Sequence, residues 1–152
     1  MANSQAMCTS FKTELLSGIH ALGTTVTRGA TTADTIKAAL YLTTASIGAG
    51  TTAYSSTNEL AATGNYTAGG ATVTNATAPT SSGTTAYWTP SASVSWTSFT
   101  SSGAFDAVLF YNSSQSNKAI AALTFSSQSI TSGTFSLTMP TNDSSNALIR
   151  LA

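Results

Sequence analysis

Charge is what this sequence has least of. Five Lys/Arg and five Asp/Glu cancel in 152 residues, and charged residues make up 7% of the chain, against roughly 25% in an average globular domain. The shortage excludes the basic stripe with which nucleic-acid binders neutralise phosphates, and the polybasic clusters that hold proteins on anionic membranes. No nucleic-acid or membrane partner is therefore expected. Cysteine is almost as scarce. Cys8 alone cannot close an internal disulfide, and with no His or basic cluster near it in sequence to favour the thiolate, it reads as a free buried thiol. No run approaches the roughly 18 apolar residues that a membrane-spanning helix needs. Residues 1–7 (MANSQAM) carry no positive charge and no apolar stretch follows, which predicts that no secretory signal exports the chain.

What the chain has in abundance is small residues: 24 Ser, 29 Thr and 25 Ala supply 78 of the 152. Hydrophobic residues still reach 41%, including six Phe, five Tyr and two Trp, which is too apolar for a disordered chain. A single domain over 1–152 is expected, since a chain of this length buries on the order of 70% of its extended surface without staples. The Asn-x-Ser/Thr triplets at Asn65, Asn75, Asn112 and Asn142 follow from the Ser/Thr richness alone.

Periodicity gives the architecture. Phe11, Leu15, Ile19 and Leu22 recur at helical spacing behind a Thr9 or Ser10 cap, predicting one helix over 10–22 stopped by Gly23. Over 35–43 the pattern switches to alternation, with Ile36, Ala38, Leu40 and Leu42 opposite Lys37, Ala39 and Tyr41, as in a half-buried strand. From 45 to 83 the texture becomes Gly, Thr, Ala and Asn, anchored by Tyr54, Leu60, Tyr66 and Val73, with short strands expected near 58–62 and 71–77. Such a stretch buries too little by itself to offset its ordering entropy, so it is expected to contact a partner.

The second half is clearer. A strand ends at Tyr87-Trp88 before Pro90; Val94, Trp96 and Phe99 alternate with Ser and Thr; 105–111 is apolar on both faces apart from Asp106. After the polar turn 112–118 the run resumes over 119–125, making a β-hairpin. Phe135, Leu137 and Met139 then alternate with Thr and Ser up to Pro140, and 147–152 forms a last strand. Eight to ten short strands after one helix predict a mainly β fold, an antiparallel β-sandwich or jelly roll, the alternative being an open sheet covered by the helix.

No reaction is legible. His20 lies late in the expected helix, where packing on the helix surface outweighs a metal or base role, and its nearest carboxylates in sequence are Glu14 and Asp34. The five carboxylates, Glu14, Asp34, Glu59, Asp106 and Asp143, are dispersed, and Asp106 is expected to pair with Lys118 across the hairpin. Neither an enzyme nor a cofactor is expected. Tyr87, Trp88 and Trp96 raise the reading of a sugar-stacking platform. Low charge with many small hydroxylated residues instead suits permanent contact between β-surfaces.

Several segments carry a resemblance. Ser10-Phe11-Lys12 and Glu14 to His20, Ile36 to Leu42, Thr52-Ala53-Tyr54 to Glu59-Leu60, Tyr66 to Gly70, Tyr111-Asn112 with Asn117-Lys118-Ala119, and Gly133-Thr134-Phe135 through Asn146 to Arg150 occur in a fixed order. Together they resemble the landmarks of small structural proteins encoded by tailed bacteriophages; 84–105 departs from that pattern. The resemblance implies a virion subunit, foremost a capsid decoration or cement protein on the capsid surface, assembled in the host cytoplasm. Its partners would be the major capsid protein and copies of itself, as in a trimer. A tail or neck adaptor and a carbohydrate-binding attachment module are the alternatives. The expected contact residues are Phe11 and Leu15 on the helix, Tyr54, Glu59 and Tyr66 in the loop-rich segment, and Trp88.

Overall fold

The computed structural model describes residues 3–8, 10–11, 15, 19–22, 32–61, 64–74 and 77–151. Ten strands organise them: β1 (Ala6–Met7), β2 (Ile36–Leu42), β3 (Ala71–Thr72), β4 (Thr80–Ser82), β5 (Thr85–Trp88), β6 (Val94–Phe99), β7 (Phe105–Asn112), β8 (Lys118–Gln128), β9 (Gly133–Leu137) and β10 (Ile149–Leu151). The fold is mainly β, and the pairings between these strands are antiparallel. A five-stranded sheet runs β1-β8-β7-β2-β3, a three-stranded sheet β10-β5-β4, and β6 with β9 makes a two-stranded ribbon.

The apolar run FDAVLFYN becomes the central strand β7, buried almost throughout. Its large side chains fit because their neighbours are small. Phe110 lies between Ala38 of β2 and Ala121 of β8, and Leu109 between Ala39 and Ala122. Alanine here gives the lateral space that lets bulky residues fill both faces at interior packing density. Val94, Trp96 and Phe99 are not evenly spaced, yet all three are buried. The irregularity in β6 between Trp96 and Phe99, with Ser98 at φ 51°, adds the extra residue that returns Phe99 to the inner face.

Several expectations are corrected. β2 is buried on both faces rather than half-buried, because the 45–83 segment covers it. Among the described residues, 58–61 form no strand beyond a single bridge between Tyr41 and Glu59, and the strand expected over 71–77 is seen at Ala71–Thr72 alone. The segment is also no unsupported loop. Leu60, Tyr66 and Val73 are 1%, 1% and 3% exposed, and its backbone is bonded to the sheet through Leu42 N to Asn58 O, Leu60 N to Leu40 O, and Val73 N to Ile36 O. The Gly69-Gly70 turn lies so close to β2 that a Cβ on Gly70, at φ +69°, would stand 1.9 Å from the Ala38 carbonyl oxygen.

Of the helix expected over 10–22, residues 12–14 and 16–18 lie outside the described residues. Its expected end, 19–22, is irregular, because Ala21 exchanges hydrogen bonds with Asp34 instead: Ala21 N donates to Asp34 Oδ2 at 2.8 Å, and Asp34 N to Ala21 O at 3.3 Å. Asp106 does not face Lys118. Lys118 lies opposite Asn112 at the turn of the hairpin, whereas Asp106 lies at its open end and accepts from Asn3 Nδ2 at 2.7 Å.

Candidate functional site

The densest polar constellation centres on Glu59, 8% exposed. Asn58, at φ 58°, turns the chain so that Glu59 bridges to Tyr41 on β2 and points its carboxylate inward. Glu59 Oε2 accepts from Tyr54 Oη at 2.5 Å, and Oε1 accepts from Tyr66 Oη at 2.8 Å and from Gly69 N at 2.7 Å. Tyr111 Oη donates to Gly69 O at 2.7 Å, and Tyr41 Oη to Ser55 O at 2.5 Å. The ring of Tyr54 stacks on that of Tyr111 with centroids 4.7 Å apart and 18° between planes. Four of the chain's five tyrosines thus meet around one carboxylate.

Burial and the Glu59 charge both disfavour a phenolate in this web. Tyr41 is pushed up to about 12, first by burial. Tyr54, Tyr66 and Tyr111 are raised as well, in each case by burial first; at Tyr54 the hydrogen bond to Glu59 adds next, and at Tyr66 and Tyr111 the Glu59 charge does. The tyrosines therefore serve as donors, and an accepting carboxylate is what three donors require. The arrangement fastens the 52–70 segment to β2 and β7. It offers neither a phenolate base nor a tyrosine nucleophile.

A second buried cluster closes the other end of β2 and β7. Asn112, fully buried, donates from Nδ2 to Asp34 Oδ2 at 2.7 Å and lies 3.0 Å from His20 Nδ1, while its Oδ1 accepts from Ser114 N at 3.1 Å. An amide nitrogen only donates, so in this contact His20 Nδ1 stands as the acceptor. Asp34 also accepts from Gln115 Nε2 at 3.2 Å. Of the two carboxylates nearest His20 in sequence, Asp34 is thus brought close, with Asn112 bridging the pair. Cys8 is buried, with Sγ directed at Gly48 O at 3.6 Å. Among the described residues no group of three His, Cys, Asp or Glu gathers to hold a metal.

The expected contact residues divide. Phe11, Tyr66 and Trp88 are 0%, 1% and 1% exposed: Phe11 packs edge-on to His20 at 4.8 Å, and Trp88 donates from Nε1 to Thr77 O at 3.0 Å. With Glu59 they support the surface from within; Leu15 and Tyr54 are only partly buried. The sugar-stacking platform is not formed, since Trp88 and Trp96 both lie in the core and Trp96 stacks on Phe135 at 6.0 Å. Sequence reasoning missed Tyr41 and Tyr111 as members of the Glu59 web. Each reads as an ordinary strand residue, and the hydroxyl on an otherwise apolar buried run is the one signal that asks for a polar partner.

A groove of about 690 Å³ opens where the three sheets meet, lined in part by Met7, Leu123, Phe125, Leu137, Leu148 and Arg150. No helix among the described residues is long and apolar enough to cross a membrane. Compared with protein-family models, curated proteins and solved structures, the chain matches none.

Proposed function

We propose that this chain is a structural subunit of a bacteriophage virion, a decoration or cement protein that sits on the capsid shell and reinforces it through contacts with the major capsid protein and with copies of itself. One observation carries the assembly part of this reading. Monomeric β-proteins protect their exposed strand edges with lysine, proline or other charge, but among the described strands β1, β3, β4, β6 and β9 carry no charged residue, and β10 carries only Arg150. The remaining strand charges, Lys37, Asp106 and Lys118, sit on the inner strands β2, β7 and β8. Edges of Ser, Thr and Ala come together with little desolvation cost, as a permanent interface requires.

The layering supports a sandwich as the finer description of the fold. Phe105 of β7 meets Phe135 of β9 edge-on at 5.1 Å, and Phe125 of β8 lies 5.0 Å from the same ring, so the ribbon packs on the five-stranded sheet. The station in the particle follows from the resemblance stated above. Quantitative mass spectrometry of purified particles tests it: a copy number that scales with the shell protein is expected, and the few copies of a neck or tail ring would overturn the capsid assignment. Absence from the particle would overturn the virion reading altogether.

A further inference from the structure

The Tyr54–Tyr111 stack has a geometry that hydrogen bonding alone does not require. Tyr54 Oη ends on Glu59 Oε2, Tyr111 Oη ends on Gly69 O, and Gly69 N is itself bonded to Glu59 Oε1. Both hydroxyls therefore lie at the same end of the pair. Two phenol rings stacked with centroids 4.7 Å apart and 18° from parallel, hydroxyls at the same end, put the ortho carbons of each at the same end of the stack. We propose that this pair is a site of oxidative modification, at which a one-electron oxidant joins Tyr54 to Tyr111 as an intramolecular dityrosine, with Glu59 as the proton acceptor.

The chemistry balances as follows. Tyr54 gives one electron to the oxidant, and its phenolic proton passes along the 2.5 Å hydrogen bond to Glu59. Without a base in place this oxidation would leave a strongly acidic phenol cation; a bonded carboxylate removes that barrier, and a positioned base accelerates proton transfer by roughly 10²–10⁴-fold. The ortho carbon of the Tyr54 radical then bonds to the ortho carbon of Tyr111. The joined rings give a second electron to the oxidant, both ortho hydrogens leave as protons, and Glu59 returns its proton to the Tyr54 oxygen. In net, one C–C bond forms, two C–H bonds break, and the oxidant takes two electrons. Burial holds both tyrosines in the protonated form, so proton and electron must leave together, which makes the carboxylate the deciding neighbour.

The product would fasten the 52–60 stretch covalently to the central strand β7, in a chain whose single cysteine can make no internal disulfide. The remaining tyrosine, Tyr87 on β5, stands apart from the web and serves as the internal control. Tyr54 is partly exposed, so the oxidant need not enter the core. The inference is independent of where the protein resides in a particle.

Photo-oxidation of the purified full chain with a ruthenium polypyridyl complex and persulfate tests it. The expected product is a monomer lighter by two hydrogen atoms, with blue dityrosine emission and a cross-linked peptide containing Tyr54 and Tyr111. Tyr54→Phe, which keeps the ring stack, should abolish the product, and Tyr87→Phe should leave it unchanged. Glu59→Gln should slow coupling about tenfold or more, and unfolding in urea before oxidation should scatter the linkages. Linkages through Tyr87, covalent dimers as the main product, or no dityrosine in folded wild-type protein would each overturn the proposal, whether or not the Glu59 variant folds.

Discussion

Ala38 of β2 lies directly opposite Phe110 of β7, and both are fully buried. The small residue is what lets the large one fit, because Ala121 flanks Phe110 on its other side. Enlarging Ala38 should therefore harm a core that is already full. Ala38→Leu is expected to lower unfolding stability by about 1–3 kcal/mol through overpacking, read as a lower urea midpoint with an unchanged slope. An unchanged midpoint would show that the alanine rows leave spare room.

Glu59 bears on stability through three donors at once. Glu59→Ala would leave Tyr54 Oη, Tyr66 Oη and Gly69 N without their acceptor, and the two buried ones, Tyr66 Oη and Gly69 N, cost about 1–3 kcal/mol each when stranded. Glu59→Gln, which keeps one carbonyl oxygen, should cost clearly less. Equal losses for the two variants, measured by denaturant titration, would count against the hydrogen-bond web as the source.

The same web sets a response to alkali. Tyr41 is raised from 10.0 to about 12 in the folded chain, chiefly by burial. Its contribution to stability is fully present below about pH 10 and is lost as pH rises from there through about 12, because the unfolded chain releases the proton first. Unfolding free energy should thus fall across that window, and Tyr41→Phe should flatten part of the decline. A Tyr41→Phe profile parallel to wild type would contradict this account.

Gly70 and Gly50 make a matched pair. A methyl at Gly70 would meet the Ala38 carbonyl at 1.9 Å on a backbone at φ +69°, whereas at Gly50 it would meet nothing within 4 Å. Gly70→Ala should unfold the turn or the whole domain, combining a clash with an αL penalty of roughly 1–2 kcal/mol. Gly50→Ala should leave the thermal midpoint within a degree or so of wild type, as surface substitutions generally do.

Removing 45–83 should unfold the chain. Leu60, Tyr66 and Val73 belong to the core, and truncating one large core side chain typically costs about 2–5 kcal/mol. Losing several at once approaches the roughly 5–15 kcal/mol that holds a whole domain together. Circular dichroism of the deleted chain should show an unfolded spectrum; a cooperative melt would contradict this account.

Strands with a clear hydrophobic pattern were legible in the sequence: β2 and β9 by alternation, and the hairpin of β7 and β8 by two apolar runs around a polar turn, all within a few residues of their expected bounds. Bulges and hubs were not. Phe99, three residues after Trp96, reaches the inner face only because Ser98 takes a positive φ, a local event that no side-chain pattern encodes. The Glu59 web draws on Tyr41, Tyr54, Tyr66, Gly69 and Tyr111, whose meeting depends on which strands become neighbours. Asp106 was misassigned for the same reason: its partner Asn3 comes from the other end of the chain. Burial of Asp34, Glu59 and Asn112 likewise follows from tertiary closure, not from local polarity.

The sheet order also dictates a timetable. β1, at Ala6–Met7, docks on Ala121 and Ala122 of β8, and β10 near the end of the chain pairs with β5. The first sheet cannot be completed until β8 has been made, nor the second until β10 has. Topologies dominated by such distant pairings fold over roughly milliseconds to seconds, far slower than helical bundles. The uncharged edges therefore stay open to other chains until these late strands have docked.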